Sequence, residues 1–319
     1  MADYKGIKGF TIPTVSSDPD NPIIGQIWYN SDSATLKGEV VGVGTWASGG
    51  NMNTARSYTG GSGIQSAAIH FGGNSPAPSA LAETYDGSSW TEVGDLNTPR
   101  RYIGSASAGT QTTTLAMGGL EPVNYSVLCE SWNGTSWTEV NDLNSIHNAP
   151  GTGGTSIAGL CATGSQGPPG TTVDSEEFNG TSWVEGNNVN TAKSYSGSFG
   201  TQTAAIIATG APGGVTVEQY DGTSWTEVGD VNTGAAGRAG VGTTSLGIIY
   251  GIDASPNTIT EQWNGSTWTE VGDLATGAMG RGHAGTGSLA LAGGGGAPVF
   301  TTTEEWLKPD TTTVTVTTS

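Results

Sequence analysis

Six glutamates and six cations recur along the chain at matched positions, and these are the residue types that could do chemistry. The glutamates are Glu83, Glu130, Glu176, Glu218, Glu261 and Glu304, each two residues before an aromatic side chain. The cations are Arg56, Arg100, His147, Lys193, Arg238 and Arg281, each followed four residues later by a glycine. Carboxylates and histidines held near a reacting group serve enzymes as general acids and bases. A catalytic group is needed once, however, and these recur once per repeat. A buried carboxylate must be paired or hydrogen-bonded, or its pKa shifts until it is neutral. The expectation is structural: each Glu meets a cation or backbone N–H groups of its own or the neighbouring repeat. Between residues 39 and 306, Arg101 is the one Lys or Arg outside the pattern.

Other chemistries find little support in the residues. His70, His147 and His283 are scattered, with no second ligand at zinc-like spacing, so no metal and no cofactor is expected. Cys129 and Cys161 form no CxxC and read as small buried hydrophobes, with a disulfide between them as the alternative. No P-loop, nucleophile elbow or His-Glu-x-x-His is present, and the chain is expected not to be an enzyme. With 10 Lys plus Arg against 28 Asp plus Glu, the net charge of −18 argues against a nucleic-acid partner, which needs a basic face. The opening "MADYKGIKGF" lacks the apolar core of a secretory signal, and no apolar run approaches the ~20 residues of a membrane span, so membrane insertion is not expected.

The charges sit in a repeat. Trp46, Trp90, Trp137, Trp183, Trp225 and Trp268 follow one another at 42–47 residues, the length of a four-stranded propeller blade. One period reads as a Gly-rich strand, an apolar strand ending in glycine ("SAAIHFGG", "TTTLAMGG"), a strand with Glu-x-aromatic, and a strand of the "SSWTEV" type. Asp-Gly or Asn-Gly at 86–87, 133–134, 179–180, 221–222 and 264–265 predicts tight type I′ hairpin turns between the third and fourth strands. Phrases such as "AETYDGSSWTEVGDLNTPRRYIG" and "HFGG" resemble the kelch repeat. The resemblance covers roughly 265 residues and is loose where His147 and Lys193 replace Arg. It implies a β-propeller and, one fold hosting many functions, no particular activity.

The expected fold is therefore all-β: a six-bladed kelch-like propeller over 39–306 with four antiparallel strands per blade. Trp306 lacks a following "DGSSW", and Trp46 lacks a preceding Glu-x-aromatic strand. The strand around Trp46 is thus expected to close the last blade, with the Thr/Val tail, 307–319, as the alternative. The loops between second and third strands differ most, and each carries proline: Pro76 and Pro78, Pro122, Pro168 and Pro169, Pro212, Pro256, Pro298. Stiff, uncharged, dissimilar loops on a rigid scaffold make a candidate recognition face, with Asn124, Tyr125 and Phe300 as contacts to sugar or protein.

Residues 1–38 carry no repeat. "GQIWYN" and "TLKGEV" around "SDSA" read as a hairpin. The segment resembles a "Pro…Gly-x-Ile-Trp-Tyr-Asn…Leu-Lys" phrase of tail-fibre, baseplate and other structural proteins of bacteriophages, marine ones especially. That resemblance implies a non-enzymatic virion protein, displayed on the particle surface as decoration or host adhesin. It would attach to other virion proteins through residues 1–38, with Trp28 and Tyr29 as contacts, or through the tail, and would meet a host glycan or protein. A carbohydrate-binding or carbohydrate-active propeller is the alternative, and a cellular kelch interaction module the third reading.

Overall fold

A computed structural model describes residues 12–20, 25–41, 44–167, 170–212, 214–253, 258–308 and 311–316, none of them helical. Seven four-stranded sheets hold the strands. They fall in two compact units: the two chain ends, Met1–Gly44 with Lys308–Ser319, and the long middle, Thr45–Leu307.

The small unit is one sheet. Strand β1 (Thr14–Val15) runs parallel to β2 (Ile27–Asn30), which forms a hairpin with β3 (Thr35–Val41). The C-terminal strand β28 (Thr311–Thr315) lies antiparallel to β3, with Thr311 opposite Val41 and Thr315 opposite Lys37. The Thr/Val segment, expected as a separate tail, therefore completes the leader's own sheet. Residues 39–41 belong to β3, and the large unit starts only at Thr45. Trp28 also departs from expectation as an attachment residue. It is fully buried and donates its indole N–H to Asp18 at 3.0 Å. Asn30 Nδ2 at 2.7 Å and Lys37 Nζ at 2.6 Å converge on the same carboxylate. Lys37 foremost, then Asn30 and Trp28, hold the Asp18 carboxyl down at about 2. Tyr29 is half-buried.

The large unit repeats one plan. Its first sheet is β5 (Gly60–Ile64), β6 (Ala67–Phe71), β7 (Ala82–Tyr85) and β8 (Trp90–Val93). The second is β9 (Gly104–Ser105), β10 (Thr114–Met117), β11 (Cys129–Trp132) and β12 (Trp137–Val140). The third is β13 (Gly151–Thr155), β14 (Ala158–Ala162), β15 (Ser175–Phe178) and β16 (Trp183–Glu185). The fourth is β17 (Gly197–Thr201), β18 (Ala204–Ala208), β19 (Val217–Tyr220) and β20 (Trp225–Val228). The fifth is β21 (Ala239–Thr243), β22 (Leu246–Tyr250), β23 (Thr260–Trp263) and β24 (Trp268–Glu270). In the last, β25 (Gly282–Gly285), β26 (Leu289–Gly293) and β27 (Thr303–Leu307) take β4 (Thr45–Ser48) as fourth strand, Trp306 opposite Trp46. First strands touch in cyclic order, β5 to β9, β13, β17, β21, β25 and back to β5. Repeated antiparallel sheets meeting along their first strands are the architecture of a β-propeller.

The sequence explains the layering. First strands such as "GGSGI" and "GTGGT" let backbones crowd: a Cβ on Gly61 would lie 2.0 Å from the His283 carbonyl of the last sheet. Second strands are buried and apolar, while fourth strands bury their Trp and expose the following residues. Across each third-to-fourth hairpin two aromatics face one another. Tyr85 and Trp90 are 5.0 Å apart, Trp132 and Trp137 5.3 Å, Phe178 and Trp183 5.1 Å, Tyr220 and Trp225 4.8 Å, and Trp263 and Trp268 5.3 Å. Trp46 and Trp306 repeat the pair at 5.5 Å across two distant chain segments. Such pairs contribute about 0.5–1.5 kcal/mol each beyond the area they bury.

The hairpin turns are not type I′. Tyr85 pairs with Trp90, so the loop has four residues, and of its Asp86-Gly87 step only Gly87 has positive φ, 92°. Asp86 Oδ1 instead accepts the N–H groups of Ser88 and Ser89 at 2.9 and 2.8 Å, an Asx turn. Asn133, Asn179, Asp221 and Asn264 do the same. The acceptor oxygen, rather than tolerance of positive φ, selects Asp or Asn here. Cys129 and Cys161 are free and buried, and burial pushes both thiols up.

Candidate functional site

The repeated charges come together pairwise, one pair per sheet. Arg56 lies 2.8 Å from Glu83, Arg100 2.8 Å from Glu130 and His147 3.3 Å from Glu176. Lys193 lies 3.4 Å from Glu218, Arg238 3.0 Å from Glu261 and Arg281 3.0 Å from Glu304. All twelve residues are buried. Each Glu, on a third strand, also receives the linker that enters its own sheet. Its Oε2 accepts both the backbone N–H and the Nδ2–H of Asn53, Asn97, Asn144, Asn190 or Asn232, at 2.7–3.0 Å. The same amide donates onward to the carbonyl of that sheet's fourth-strand Trp at 2.9–3.3 Å. The next residue's N–H reaches Oε1. In the last sheet Ala275 stands in the Asn position, and only its backbone N–H, 2.7 Å from Glu304, remains.

The sequence signal for these asparagines is the "N-T" that recurs in the linkers of four repeats, which by itself assigns them no role. A polar residue in a connecting segment reads as solvated. The electrostatics follow from burial. Burial alone would raise the Glu176 carboxyl, but the His147 ring and the N–H groups of Asn144 and Ser145 outweigh it and bring it down. Burial lowers Arg56, Lys193, Arg238 and Arg281, with their glutamates opposing the shift.

One part of the expected register is wrong. Gly60, Gly104, Gly151 and Gly197 open their first strands opposite Phe71, Met117, Ala162 and Ala208. The equivalent openers in the last two sheets are Ala239 and Gly282, opposite Tyr250 and Gly293. Gly242 and Gly285 lie three residues further on. Arg238 and Arg281 thus enter their clamps from three residues later in the chain than Arg56, Arg100, His147 and Lys193. Ala235 and Ala278 occupy the earlier position.

The proline loops spring from the segments beside these linkers, through isolated bridges such as Ser57 to Asn74, Arg101 to Leu120, Asn148 to Ser165 and Ser194 to Ala211. Pro76, Pro122, Asn124, Tyr125, Pro212 and Pro298 are exposed, and Pro78 is half-buried. Pro168, Pro169 and Pro256 lie outside the described residues. Phe300 does not project freely: its ring packs 5.4 Å from the Arg281 guanidinium.

Inside the loops lies a feature the sequence did not announce. Six backbone hydrogen bonds form a closed cycle. Tyr102 N–H donates to the Tyr58 carbonyl, Ala149 to Tyr102, Tyr195 to Ala149, Gly237 to Tyr195, Gly280 to Gly237 and Tyr58 to Gly280, at 2.7–3.1 Å. All six residues have positive φ, from 53° at Ala149 to 77° at Gly237. For the four that are not glycine this costs roughly 1–3 kcal/mol each, offset by the hydrogen bonds that the cycle makes. Tyr58, Tyr102 and Tyr195 gather with ring centroids 4.4–6.1 Å apart. Burial, then the neighbouring phenols, raises Tyr58 and pushes Tyr195 up to about 12, so both stay protonated at neutral pH. Arg101 reaches Asn74 Oδ1 at 3.1 Å and lies 5.2 Å from the Tyr102 ring. The cluster borders a pocket of about 70 Å³ that is also lined by Thr59, His283 and the main chain of Arg238 and Arg281, whose side chains are fully buried. The one sequence signal was a Tyr two residues after the cation in three repeats.

Comparison with known proteins places the fold alone. No family model and no curated protein matches the chain. Among solved structures, that of YjhT superposes with a TM-score of 0.63 at 12% identity, covering 84% of this chain and 97% of that one.

Proposed function

We propose that the chain is a non-enzymatic structural protein of a bacteriophage particle, displaying a six-bladed kelch-like propeller for decoration or host adhesion. The observation that carries this reading is the leader phrase "GQIWYNSDSATLKG", which resembles phage tail and baseplate proteins. The disposition of the repeated charges agrees with it, since each Glu–cation pair ties a linker to its own sheet. The blade count and closure by β4 are supported by the six clamps, the six facing aromatic pairs and the six-membered hydrogen-bond cycle. Attachment to other virion proteins runs through the small unit, where the leader and C-terminal strand share one sheet. With Trp28 buried, Tyr29 is the contact of that pair that we retain. Mass spectrometry of gradient-purified particles should find the chain, and immunogold labelling should place it on their surface. Its absence from intact particles would overturn the assignment.

A second reading, a carbohydrate-binding propeller, is favoured by the tyrosine cluster inside the proline loops. Binding on a glycan array that is lost in Tyr102→Ala would support it.

A further inference from the structure

Asn-Gly occurs three times in the chain, at 133–134, 179–180 and 264–265, each time in an exposed turn between a third and a fourth strand. In this dipeptide the glycine nitrogen can attack the side-chain amide of the residue before it, because glycine has no Cβ to hinder the approach. The three glycines have positive φ of 88–95°. Among the described residues none of their N–H groups has a protein acceptor.

Each turn also attends to the oxygen on which charge would develop. Asn133 Oδ1 accepts the N–H groups of Thr135 and Ser136 at 2.9 Å each, and Asn179 Oδ1 those of Thr181 and Ser182 at 3.0 and 2.9 Å. Asn264 Oδ1 accepts those of Ser266 and Thr267 at 3.0 and 2.9 Å, and the Ser266 hydroxyl at 3.0 Å. Attack at Cγ makes this oxygen an oxyanion that already sits between two backbone donors, the arrangement that stabilises tetrahedral intermediates of acyl transfer. Nδ2, the leaving nitrogen, donates to the hydroxyl three residues on, Ser136 at 3.4 Å, Ser182 at 3.3 Å or Thr267 at 3.0 Å. Two sister turns show that the product fits. Asp86 and Asp221 stand at the same position and accept the equivalent N–H groups. There the hydroxyl of Ser89 or Ser224 reverses its role and donates to Oδ2, at 3.1 and 3.2 Å. The Ser89 N–H foremost holds the Asp86 carboxyl down at about 2, and the Ser224 N–H foremost lowers Asp221.

We propose that Asn133, Asn179 and Asn264 are self-modifying sites, each converting to aspartate in the folded protein. The glycine nitrogen bonds to Cγ, the Cγ–Nδ2 bond breaks, and the amide leaves as ammonia with the proton that the glycine nitrogen lost. Water then adds to Cγ of the resulting succinimide and breaks the new N–Cγ bond, returning a proton to the glycine nitrogen. The carboxyl so formed ionises, and ammonia takes up its proton. Opening at the main-chain carbonyl instead would give isoaspartate, which inserts a methylene into a four-residue loop closed by a facing pair such as Trp132 and Trp137. The three sites stand independently of the assignment to a phage particle.

The test incubates the full chain at neutral pH and follows it by peptide mapping and ion exchange. Each of the three peptides should gain about 1 Da, and the protein should become more acidic. Conversion should run roughly tenfold or more faster than at Asn188, an exposed asparagine followed by the β-branched Val189. The triple variant Asn133→Asp, Asn179→Asp, Asn264→Asp should keep the wild-type thermal midpoint within about 2 °C and show no mass gain at these positions. A mass gain no faster than at Asn188, or one seen only in the urea-unfolded chain, would mean that the turns protect their asparagines. A larger fall in the midpoint of the triple variant would mean that the fold does not accept the product. Any of these results overturns the proposal.

Discussion

Acid should loosen the large unit well before its carboxylates titrate, and His70 should account for about half of the effect. His70 is fully buried on β6, its ring 4.8 Å from Trp90 and beside the His283 backbone. The charged or titratable groups that face it are His283, Arg56 and Arg281, with no carboxylate among them. Burial foremost, then those neighbours, lowers the imidazole well below its ordinary 6.5. Burial likewise brings His283, whose Nε2 lies 3.2 Å from the Ser105 hydroxyl, down to about 4. Both rings are neutral in the fold and take up protons near 6.5 once unfolded. The unfolded chain therefore binds more protons below pH 6.5, and stability falls as pH falls, until each ring protonates in the folded state. At about 1.4 kcal/mol per pH unit and per ring, going from pH 8 to pH 5 removes roughly 2 kcal/mol for each histidine, about 4 kcal/mol together. Urea denaturation across that range measures it. His70→Ala, which installs the residue that the register places at 116 and 292 in the sister sheets, should halve the loss. Carboxylate contributions are common to both proteins and cancel in the comparison. An identical pH dependence in wild type and His70→Ala would refute the reasoning.

Two further outcomes test the clamps. Ala275→Asn gives Glu304 the side-chain donor that five other glutamates have, and should stabilise the fold by about 0.5–1.5 kcal/mol in thermal denaturation. Arg100→Met leaves Glu130 buried beside its remaining N–H donors without a cation, and should cost roughly 3–5 kcal/mol, whereas Arg100→Met with Glu130→Leu should recover much of it, because a buried pair mainly offsets its own desolvation. Urea midpoints of the two variants decide this.

What the sequence disclosed and what it hid follow from the range of the interactions. The Trp period, the Glu-x-aromatic strands and the Gly-rich first strands are local patterns, and the sheets obey them. Trp306, which lacks a following hairpin, and Trp46, which lacks a preceding one, stand opposite each other in the last sheet. The Asn clamps stayed hidden because Asn97 and Glu130 are distant in sequence, and an Asn in a linker resembles any solvated residue. Trp28 looked like an exposed anchor because its burial depends on Asp18 and Lys37, ten and nine residues away. The Asp-Gly and Asn-Gly steps mark turns in the sequence without fixing their geometry, since both an Asx turn and a type I′ turn favour those residues.

The misplaced arginines are the most instructive departure, because the same clamp is built from two different positions in the chain. In the first four sheets the cation approaches its glutamate from the linker, and the residue three further on, Thr59, Ile103, Pro150 or Ser196, is uncharged. In the last two sheets alanine takes the linker position, and arginine moves to where those uncharged residues stand. The same clamp closes, with the side chains of Arg238 and Arg281 fully buried and Gly237 and Gly280 just before them in the cycle where three other sheets carry tyrosine. A shift of three residues thus preserves the structural bond. A repeat protein can change which position carries its buried cation without breaking its repeat, provided the bond that holds each sheet can be made from either place.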